Sequence, residues 1–386
     1  MSRRAQNFAL ASLAVVVHAS PAAKVPFLDL APQHRGLKTA ILGDLADLLD
    51  SGAFTNGPAV AQFEQRFAAY CGVRRCVGVG SGLDALRLAL LAGGLGRGDE
   101  VVVPALTFAA TFEAVTQAGG VPVAADVSPA DYNLDPAAAA SATGRRTRFI
   151  LPVHLYGQLA DVSALRTFGV PLVEDACQAH GASRDGVRAG SAGVAAAFSF
   201  YPGKNLGAAG DAGALVTSDD GLADAVVALR EHGQRTKYRH ELEGYTARLD
   251  TVQALVLLRK LPLLDGWNEE RRQVAARYDE LLDGVGDLRL PPVPAGSEPV
   301  WHLYPVWTER PEALAAFLSE RNIGTGRHYP EPPPLAAAYA RFGWQAGQFP
   351  VAEDLAAHLL SLPVFPGMTE AQVETVAGAV AEFFRG

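Results

Sequence analysis

The lysine at position 204 has the sequence setting that most clearly favours covalent chemistry. It lies in the segment Phe198-Ser-Phe-Tyr-Pro-Gly-Lys-Asn-Leu-Gly207, which contains no other charged residue. The neighbouring lysines along the chain are Lys38 and Lys237, and arginine supplies most of the positive charge. Burial lowers the pKa of a lysine toward the neutral amine that attacks a carbonyl. The segment therefore predicts a Schiff-base lysine, against the ordinary alternative of a solvated surface charge.

A carboxylate and an amide that follow a short apolar run could recognise a cationic ring. Asp175 and Gln178 lie in Val173-Glu-Asp-Ala-Cys-Gln-Ala-His-Gly181. A carboxylate at the end of a buried strand needs a cationic partner. A pyridinium nitrogen would supply one, and the carboxylate would keep that nitrogen protonated so that the ring acts as an electron sink. The ordinary alternative is that Asp175 is a helix N-cap.

A glycine-rich turn, Gly78-Val-Gly-Ser-Gly-Leu-Asp-Ala-Leu86, joins a predicted strand to a predicted helix. Free backbone N–H groups and the helix dipole at such a turn suit a phosphate. A dinucleotide fold is disfavoured because the third glycine of its G-x-G-x-x-G pattern would fall at Leu83. The turn, the acid at position 175, and then Ser199 and Lys204 together indicate pyridoxal phosphate (PLP).

Short apolar runs alternate with helical patterns between Arg75 and Thr217, as in a mostly parallel sheet with helical crossovers. The strands that we predict are Val77–Val79, Glu100–Val103, Val121–Ala124, Phe149–Val153, Pro171–Val173, Ala197–Phe200 and Ala214–Val216. Ligands in such sheets bind beyond the carboxyl ends of the strands. The predicted strand ends coincide with the three motifs.

After Gly244 the short apolar runs give way to long helical patterns, which we expect to bridge two lobes. The elements predicted there are helices over Leu249–Leu261 and Trp267–Leu282, a strand near His302–Trp307, a helix near Pro311–Glu320, a loop over Arg327–Pro334, and a last helix with a capping box at Thr369. The predicted fold class is α/β, with a large domain over residues 25–265 and a smaller α+β C-terminal domain over residues 266–386.

The composition of the chain limits its partners. With 386 residues, 49% hydrophobic residues and a net charge of −8, it is typical of a globular protein and lacks the basic surplus of a nucleic-acid binder. Cys71, Cys76 and Cys177 form no zinc spacing, so no metal is predicted. The N-terminal apolar run is too short to span a membrane. Although it imitates an export signal, we expect residues 1–24 to be a disordered leader or an over-called start, and the protein to be cytoplasmic.

With these motifs the chain resembles the PLP-dependent nucleotide-sugar aminotransferases of the DegT/DnrJ/StrS family, which have the fold-type I architecture. The similarity runs from Val25 almost to the C-terminus. Further matching segments are Val103-Pro-Ala-Leu-Thr-Phe-Ala-Ala-Thr111, Pro152-Val-His-Leu-Tyr-Gly157, Gly244-Tyr-Thr-Ala-Arg-Leu-Asp250, His328-Tyr-Pro330 and Leu360-Ser-Leu-Pro363. Within the family, the lysine segment and Lys237-Tyr-Arg-His240 are most similar to enzymes that aminate C3 of dTDP-linked 3-keto-6-deoxyhexoses.

The resemblance implies a role for each site residue. Lys204 and Asp175 would be catalytic: Lys204 would hold the cofactor as a Schiff base and move a proton, and Asp175 would pair with the pyridinium nitrogen. The other cofactor contacts would be Gln178 on the ring hydroxyl, Phe108 on the ring face, and Ser199 with the N–H groups of Gly82 and Leu83 on the phosphate. For Phe108, the alternative is an ordinary core aromatic.

In this family a second subunit completes the active site, so the resemblance implies a homodimer. Arg248 matches the position that reaches across to the phosphate, and Lys237 matches a cross-subunit contact to the nucleotide diphosphate. Tyr201, His328 and Tyr329 match positions on the sugar side.

Three positions depart from the family pattern. Leu83 stands where Thr is usual, Thr246 where Asn is common, and Arg327 where an apolar residue is usual. A hydrogen bond to a charged group is worth about 1.5–3 kcal/mol, so Leu83 predicts weaker retention of the cofactor. Arg327 predicts an altered sugar pocket.

The expected reaction transfers an amino group from L-glutamate to a keto-sugar nucleotide, with a dTDP-3-keto-6-deoxyhexose as the predicted acceptor and the pyridoxamine form of the cofactor as the carrier. One alternative is a sugar dehydratase of the same fold, which has histidine in place of the Schiff-base lysine. Another is a non-catalytic PLP-binding regulator, and a third is a relative that forms an aminocyclitol or an aminobenzoate. Lys204 disfavours the dehydratase.

Overall fold

The computed structural model describes residues 24–386, and the predicted leader over residues 1–24 lies outside this range except for Lys24. The helices of the described part are α1 (Ala31–Arg35), α2 (Lys38–Ser51), α3 (Pro58–Cys71), α4 (Gly82–Ala92), α5 (Ala109–Gln117), α6 (Pro136–Ala142), α7 (Val162–Arg166), α8 (Asp220–Arg230), α9 (Thr251–Lys260), α10 (Leu264–Leu282), α11 (Pro311–Glu320), α12 (Pro350–His358) and α13 (Glu370–Arg385). The strands are β1 (Arg75–Val79), β2 (Glu100–Pro104), β3 (Val121–Ala125), β4 (Thr147–Ile150), β5 (Val173–Asp175), β6 (Ser183–Arg184), β7 (Val187–Arg188), β8 (Ala195–Ser199), β9 (Gly213–Thr217), β10 (Gln234–Thr236), β11 (Arg239–His240), β12 (Ser297–Glu298), β13 (Tyr304–Trp307) and β14 (Leu359–Leu362).

The central sheet has the strand order β3-β2-β4-β5-β8-β9-β1. Parallel bridges from Ile150 to Leu172 and from Val153 to Asp175 join its two halves. Strands β3, β2, β4, β5 and β8 run parallel to their neighbours in this group. The predicted α/β class with a mostly parallel sheet is therefore confirmed, and the predicted strands in this sheet lie within three residues of the observed bounds.

Strand β9 is the exception, because it runs antiparallel to both β8 and β1. The sequence pattern predicts a parallel strand there, and this prediction is wrong. A parallel connection needs a crossover, usually a helix. Residues 200–212, which link β8 to β9, contain no helix, and Phe200 N donates to Ala212 O at 2.8 Å, so the chain turns straight back. This turn carries Lys204.

Both faces of the sheet are buried, as parallel sheets require. Along β8, Ala195 and Ala197 belong to one apolar cluster, whereas Ala196 and Phe198 belong to another on the opposite face. Helix α4 contributes most of its apolar residues to the first cluster, and α3 and α9 contribute to the second. Packing on both faces therefore holds the strand ends, and the side chains that they carry, in fixed positions.

The C-terminal part forms a third apolar cluster around the antiparallel pair β13–β14 with α11 and α13. Helix α10 bridges the two parts as predicted, because Leu264 lies in the second cluster and Tyr278 in the third. The capping box at Thr369 is also confirmed. Val25 packs in the third cluster and bridges to Ile323, so the N-terminal end of the described chain contacts the C-terminal unit. The division into domains at residue 265 stays a proposal.

None of the helices formed by residues 24–386 combines the length and the apolar character that a membrane crossing needs.

Candidate active site

A cavity of about 420 Å³ opens where the strands of the central sheet end. Its walls include residues that follow β1, β2, β4, β5 and β8, as the rule for such sheets predicts. The sequence-predicted residues that line it are Gly82, Leu83, Phe108, Asp175, Gln178, Ser199, Tyr201, Lys204 and Tyr329. The three motifs singled out in the sequence therefore meet in one place.

Lys204 lies on the tight turn between β8 and β9. Its N–H donates to Tyr201 O at 2.8 Å, and Ala208 N donates to Phe200 O at 2.7 Å, which closes the turn. Burial lowers the pKa of Lys204, and the nearby Cys177 and Asp175 only partly oppose this shift. A larger share of the side chain is then the neutral amine that can attack a carbonyl.

Asp175 is the last residue of β5 and is 6% exposed. Its Oδ2 accepts a hydrogen bond from Thr111 Oγ1 at 2.9 Å, and its Oδ1 accepts one from Cys177 N at 3.2 Å. No helix begins after β5, since residues 176–182 form turns, so the alternative of a helix N-cap is wrong. The carboxylate is held on one side and faces the cavity on the other.

Glu174, the neighbouring carboxylate, faces the opposite side of the sheet and is fully paired. It accepts hydrogen bonds from His154 Nε2 at 2.8 Å and from the N–H groups of Gly190, Ala192 and Gly193 at 2.9, 2.8 and 2.6 Å. Burial alone would raise the pKa of Glu174, but these hydrogen bonds outweigh it and the pKa is lowered. Of the two adjacent acids, only Asp175 lines the cavity.

The first turn of α4 forms another part of the cavity wall. Ser81 caps this helix, because its Oγ accepts from Asp84 N at 3.0 Å. The N–H groups of Gly82 and Leu83 have no acceptor among the described residues. A Cβ on Gly82 would lie 2.6 Å from Cys177 Sγ and 2.8 Å from Ser199 Cβ, so glycine allows the helix start to approach Ser199.

These groups fit pyridoxal phosphate. Two free N–H groups, the positive end of a helix dipole and the Ser199 hydroxyl form a donor set for a phosphate dianion. A partly buried lysine and a buried carboxylate line the same cavity. Leu83 offers no hydroxyl, in agreement with the departure noted in the sequence.

Phe108 and Tyr329 form an aromatic wall of the cavity. The Phe108 ring is 54% exposed and lies 5.4 Å from that of Tyr329, centroid to centroid, so Phe108 is not a core aromatic. Tyr329 Oη accepts from Gln178 Nε2 at 3.0 Å, and Gln178 Oε1 accepts from Tyr156 N at 2.7 Å. The second N–H of the Gln178 amide is left to donate to a ligand.

His328 lines an adjacent cavity of about 200 Å³. Tyr201, Lys204 and Tyr329 line both this cavity and the larger one. Its Nδ1 is 2.9 Å from Ser361 Oγ, and its ring lies 5.5 Å from Phe27. Burial, with the charge of Lys204, lowers the pKa of His328 to about 4. The imidazole is therefore neutral at pH 7 and can act on a ligand only through hydrogen bonds.

Arg248 and Lys237 are not brought into the cavity of their own chain. Arg248 Nη1 pairs with Glu231 Oε1 at 2.9 Å. Lys237 lies in the β10–β11 hairpin, lines a separate surface cavity of about 550 Å³, and has its Nζ 5.2 Å from the Tyr238 ring centroid. Their predicted roles across a subunit interface stay predictions.

Arg327 does not line either of the cavities next to Lys204, so the expectation of an altered sugar pocket is not supported. Its guanidinium pairs with Glu312 and donates to Ala356 O at 2.7 Å and Ala357 O at 2.8 Å. These carbonyls belong to the last turn of α12, where a cation is favourable. Arg327 thus caps a helix.

Thr111 is the main supporting residue of the site that sequence reasoning missed. It is fully buried, contacts Thr107 Oγ1 at 2.8 Å and donates to Asp175. Both threonines lie in the segment that carried the resemblance, Thr107 just before α5 and Thr111 in the first turn of that helix. Their position just after a predicted strand, where ligands of such sheets bind, was an available signal. Cys177, Glu113 and Asp211 also line the cavity, and nothing in their local sequence marks them.

The model of the DegT/DnrJ/EryC1/StrS aminotransferase family matches residues 36–381. The chain belongs to this family. It is 46% identical to the dTDP-3-amino-3,4,6-trideoxy-alpha-D-glucose transaminase of Streptomyces venezuelae over 93% of this chain and 96% of that protein. It is also 46% identical to the erythromycin biosynthesis sensory transduction protein EryC1 of Saccharopolyspora erythraea, over 91% of this chain and 97% of that protein.

The structural comparison agrees with the sequence match. A crystal structure of S. venezuelae DesV superposes with a TM-score of 0.92 at 46% identity, covering 94% of this chain and 99% of that one. The fold of the family, predicted from the motifs, is therefore confirmed over nearly the whole chain.

Proposed function

We propose that this family member transfers an amino group from L-glutamate to a keto-sugar nucleotide, with a dTDP-3-keto-6-deoxyhexose as acceptor, in amino-sugar biosynthesis. The observation that carries the proposal is the meeting of Lys204, Asp175 and the free N–H groups of Gly82 and Leu83 in one cavity. The name of the S. venezuelae transaminase supports the acceptor class. Glutamate would leave as 2-oxoglutarate, and the sugar carbonyl would become an amine.

Lys204 would hold pyridoxal phosphate through Nζ and then move a proton between carbon atoms of the bound reactants. Bound PLP supplies an electron sink for the carbon that loses this proton. The lowered pKa of Lys204 suits both tasks, because a neutral amine accepts a proton and a charged one does not. Asp175 would face the ring nitrogen and hold a proton there, with Thr111 keeping the carboxylate in place.

The remaining cavity residues would bind and orient the cofactor. Gln178 would donate its free N–H to the ring hydroxyl, and Phe108 would cover one ring face. Ser199 and the first turn of α4 would hold the phosphate. Each of these groups is fixed by the fold, which lowers the entropic cost of orienting the reacting atoms.

Tyr201, Tyr329 and His328 would contact the sugar. Tyr201 is 58% exposed at the cavity mouth, as expected for a side chain that meets a large ligand. The neutral state of His328 favours hydrogen bonding to sugar hydroxyls over pairing with phosphate.

A second copy of the chain would complete the site. Among the described residues that line the cavity, Lys204 is the one cation, yet both the cofactor and a nucleotide sugar carry phosphates. Arg248 and Lys237 lie outside the cavity of their own chain. We propose that they reach the phosphates of the neighbouring subunit in a homodimer, so that a monomer would be inactive. The nucleotide-sugar chemistry favours a cytoplasmic location.

A PLP-binding regulator is the second candidate, because the S. erythraea relative bears the name of a sensory transduction protein. Such a regulator would bind the cofactor without turning over a sugar. Lys204, Asp175 and Gln178 are all present in one cavity, which favours the enzyme.

The test is a two-stage assay on the purified chain loaded with PLP. L-glutamate alone should bleach the visible absorption of the lysine-bound cofactor, and 2-oxoglutarate should appear in stoichiometric amount. Products from a panel of 3-keto and 4-keto dTDP- and UDP-sugars should then be read by mass spectrometry. Turnover by a Lys204→Ala variant would reject the assignment. Amination of 4-keto sugars alone would contradict the acceptor and leave the reaction type intact.

A further inference from the structure

Helix α10 places the buried side-chain amide of Asn268 against the turn that carries Lys204. We propose that Asn268 is a positioning residue for Lys204. It contacts neither the cavity nor Lys204 itself. It acts through Asn205, the next residue of the lysine turn. The inference rests on the proposed function, because it concerns how the fold sets the amine that would bind the cofactor.

The link consists of three buried hydrogen bonds. Asn205 Nδ2 donates to Asn268 Oδ1 at 2.9 Å and to Val300 O at 2.8 Å. Asn268 Nδ2 donates to His180 O at 2.8 Å. Asn205 is 1% exposed and Asn268 is 2% exposed, so water does not compete for these groups. Hydrogen bonds in such surroundings are costly to break, because the freed groups stay unpaired.

The orientation of both amides is determined by their partners. Val300 O and His180 O are carbonyls and can only accept, so each must face the Nδ2 end of an amide. Asn268 then necessarily presents Oδ1 to Asn205. The two amides form a head-to-tail chain with one allowed arrangement, which fixes the side chain next to Lys204.

This chain joins the two segments that carry the proposed chemistry. His180 lies two residues after Gln178 in the turns that follow Asp175, whereas Asn205 belongs to the turn of Lys204. Gly181 allows the close approach, since a Cβ there would lie 3.0 Å from Asn268 Nδ2 and its φ of +93° favours glycine. Asn268 therefore sets the spacing between the lysine turn and the turn that follows β5.

The helix that carries Asn268 is itself anchored. Arg271, one turn further along α10, is buried and donates to Trp301 O at 3.0 Å and to Val364 O at 2.8 Å. At the far end of the lysine turn, Lys260 Nζ donates to Gly207 O at 2.7 Å. On the Asn205 side of the turn, the side-chain hydrogen bonds are those from Asn205 to Asn268 Oδ1 and Val300 O. A supporting group on a rigid helix is the arrangement that holds a reactive side chain in place.

The test uses Asn268→Ala, Asn205→Ala and the double variant, each as the full chain. The matched control is Tyr278→Phe, which removes another buried hydrogen bond of α10, the one from Tyr278 Oη to Pro363 O at 3.0 Å, far along the helix from the lysine turn. For each protein we would measure the thermal midpoint, the dissociation constant for PLP, and the rate at which the visible band forms after PLP is added.

We expect each single Asn variant to bind PLP about tenfold more weakly and to form the band more slowly, because a misplaced amine loses part of its covalent attachment. The double variant should lose less than the sum of the two single losses, since both remove the hydrogen bond between Asn205 and Asn268. Tyr278→Phe should lower the thermal midpoint and leave affinity and rate unchanged. Asn205→Ala serves as the independent test if Asn268→Ala does not fold.

The outcomes separate this inference from the proposed function. If Asn268→Ala and Asn205→Ala lower the thermal midpoint as Tyr278→Phe does, with wild-type affinity and rate, Asn268 is merely structural and the inference is overturned. Fully additive losses in the double variant would also contradict it. A wild-type chain that forms no visible band with PLP would overturn the proposed function and this inference with it.

Discussion

The start of α4 offers a sharp perturbation, because Gly82 has no room for a side chain. A Cβ there would lie 2.6 Å from Cys177 Sγ and 2.8 Å from Ser199 Cβ. Comfortable contact between such atoms needs about 3.5–4 Å, so in Gly82→Ala the helix start must move by roughly 1 Å. A hydrogen bond of about 2.9 Å does not survive such a displacement.

The expected loss follows from the two donors involved. The N–H groups of Gly82 and Leu83 would each lose a charge-assisted bond to the cofactor phosphate, worth about 1.5 kcal/mol or more apiece. Together this is about 3 kcal/mol, or roughly 150-fold weaker binding of PLP. Titration of the cofactor-free protein, followed by the visible band, measures the dissociation constant directly.

A matched control is available within the chain. Gly378 lies in α13 with nothing near its Cβ position, so Gly378→Ala should leave PLP binding unchanged. If Gly82→Ala binds PLP as tightly as the wild type, then the first turn of α4 does not hold the phosphate. An equal loss in both variants would indicate a general effect of the substitution and would likewise refute the reasoning.

Three further predictions concern neighbouring features. Leu83→Thr should tighten PLP binding about tenfold in the same titration by restoring a hydroxyl donor, and unchanged or weaker binding would contradict the position assigned to the phosphate. Glu174→Gln should lower the free energy of unfolding in urea by about 3 kcal/mol, because an amide cannot accept all four of the buried hydrogen bonds that the carboxylate accepts. Since the folded-state pKa of Glu174 is lowered, its contribution is present above the unfolded pKa and lost as pH falls through the folded pKa, so the variant should show a flatter acid dependence of stability; an equally steep dependence would count against it. Arg327→Ala should lower the thermal midpoint without changing the KM for the sugar nucleotide, and a raised KM would return Arg327 to the sugar pocket.

Local sequence patterns were sufficient to predict that Lys204, Asp175 and the glycine-rich turn belong to one site. Lys204, Asp175 and the glycine-rich turn each lie at or just after the end of a strand. Because the carboxyl ends of the strands meet at one edge of the sheet, their convergence could be predicted without coordinates. The antiparallel direction of β9 could not be predicted in the same way. It depends on the absence of a helix between β8 and β9, and a strand's own apolar pattern does not record its direction.

The supporting residues were missed because their partners are distant in sequence. Thr111 and Asn268 act through contacts with Asp175 and Asn205, which lie 64 and 63 positions away. A buried amide in a helical pattern has no local mark that distinguishes it from an exposed one. For Arg327, the local sequence suggested a role that the structure does not support. Its position before the His-Tyr-Pro motif indicated the sugar pocket, whereas its observed partners lie on α11 and α12 and give it a structural role.

The central claim is that Lys204 binds the cofactor covalently, and reductive trapping tests it most directly. The chain would be incubated with PLP, reduced with borohydride and digested, and the modified peptide would be identified by mass spectrometry. The account predicts a single modified residue, Lys204, and loss of the modification when L-glutamate is added before the reductant. Modification of Lys260 or Lys237 in its place, or no modification, would contradict it.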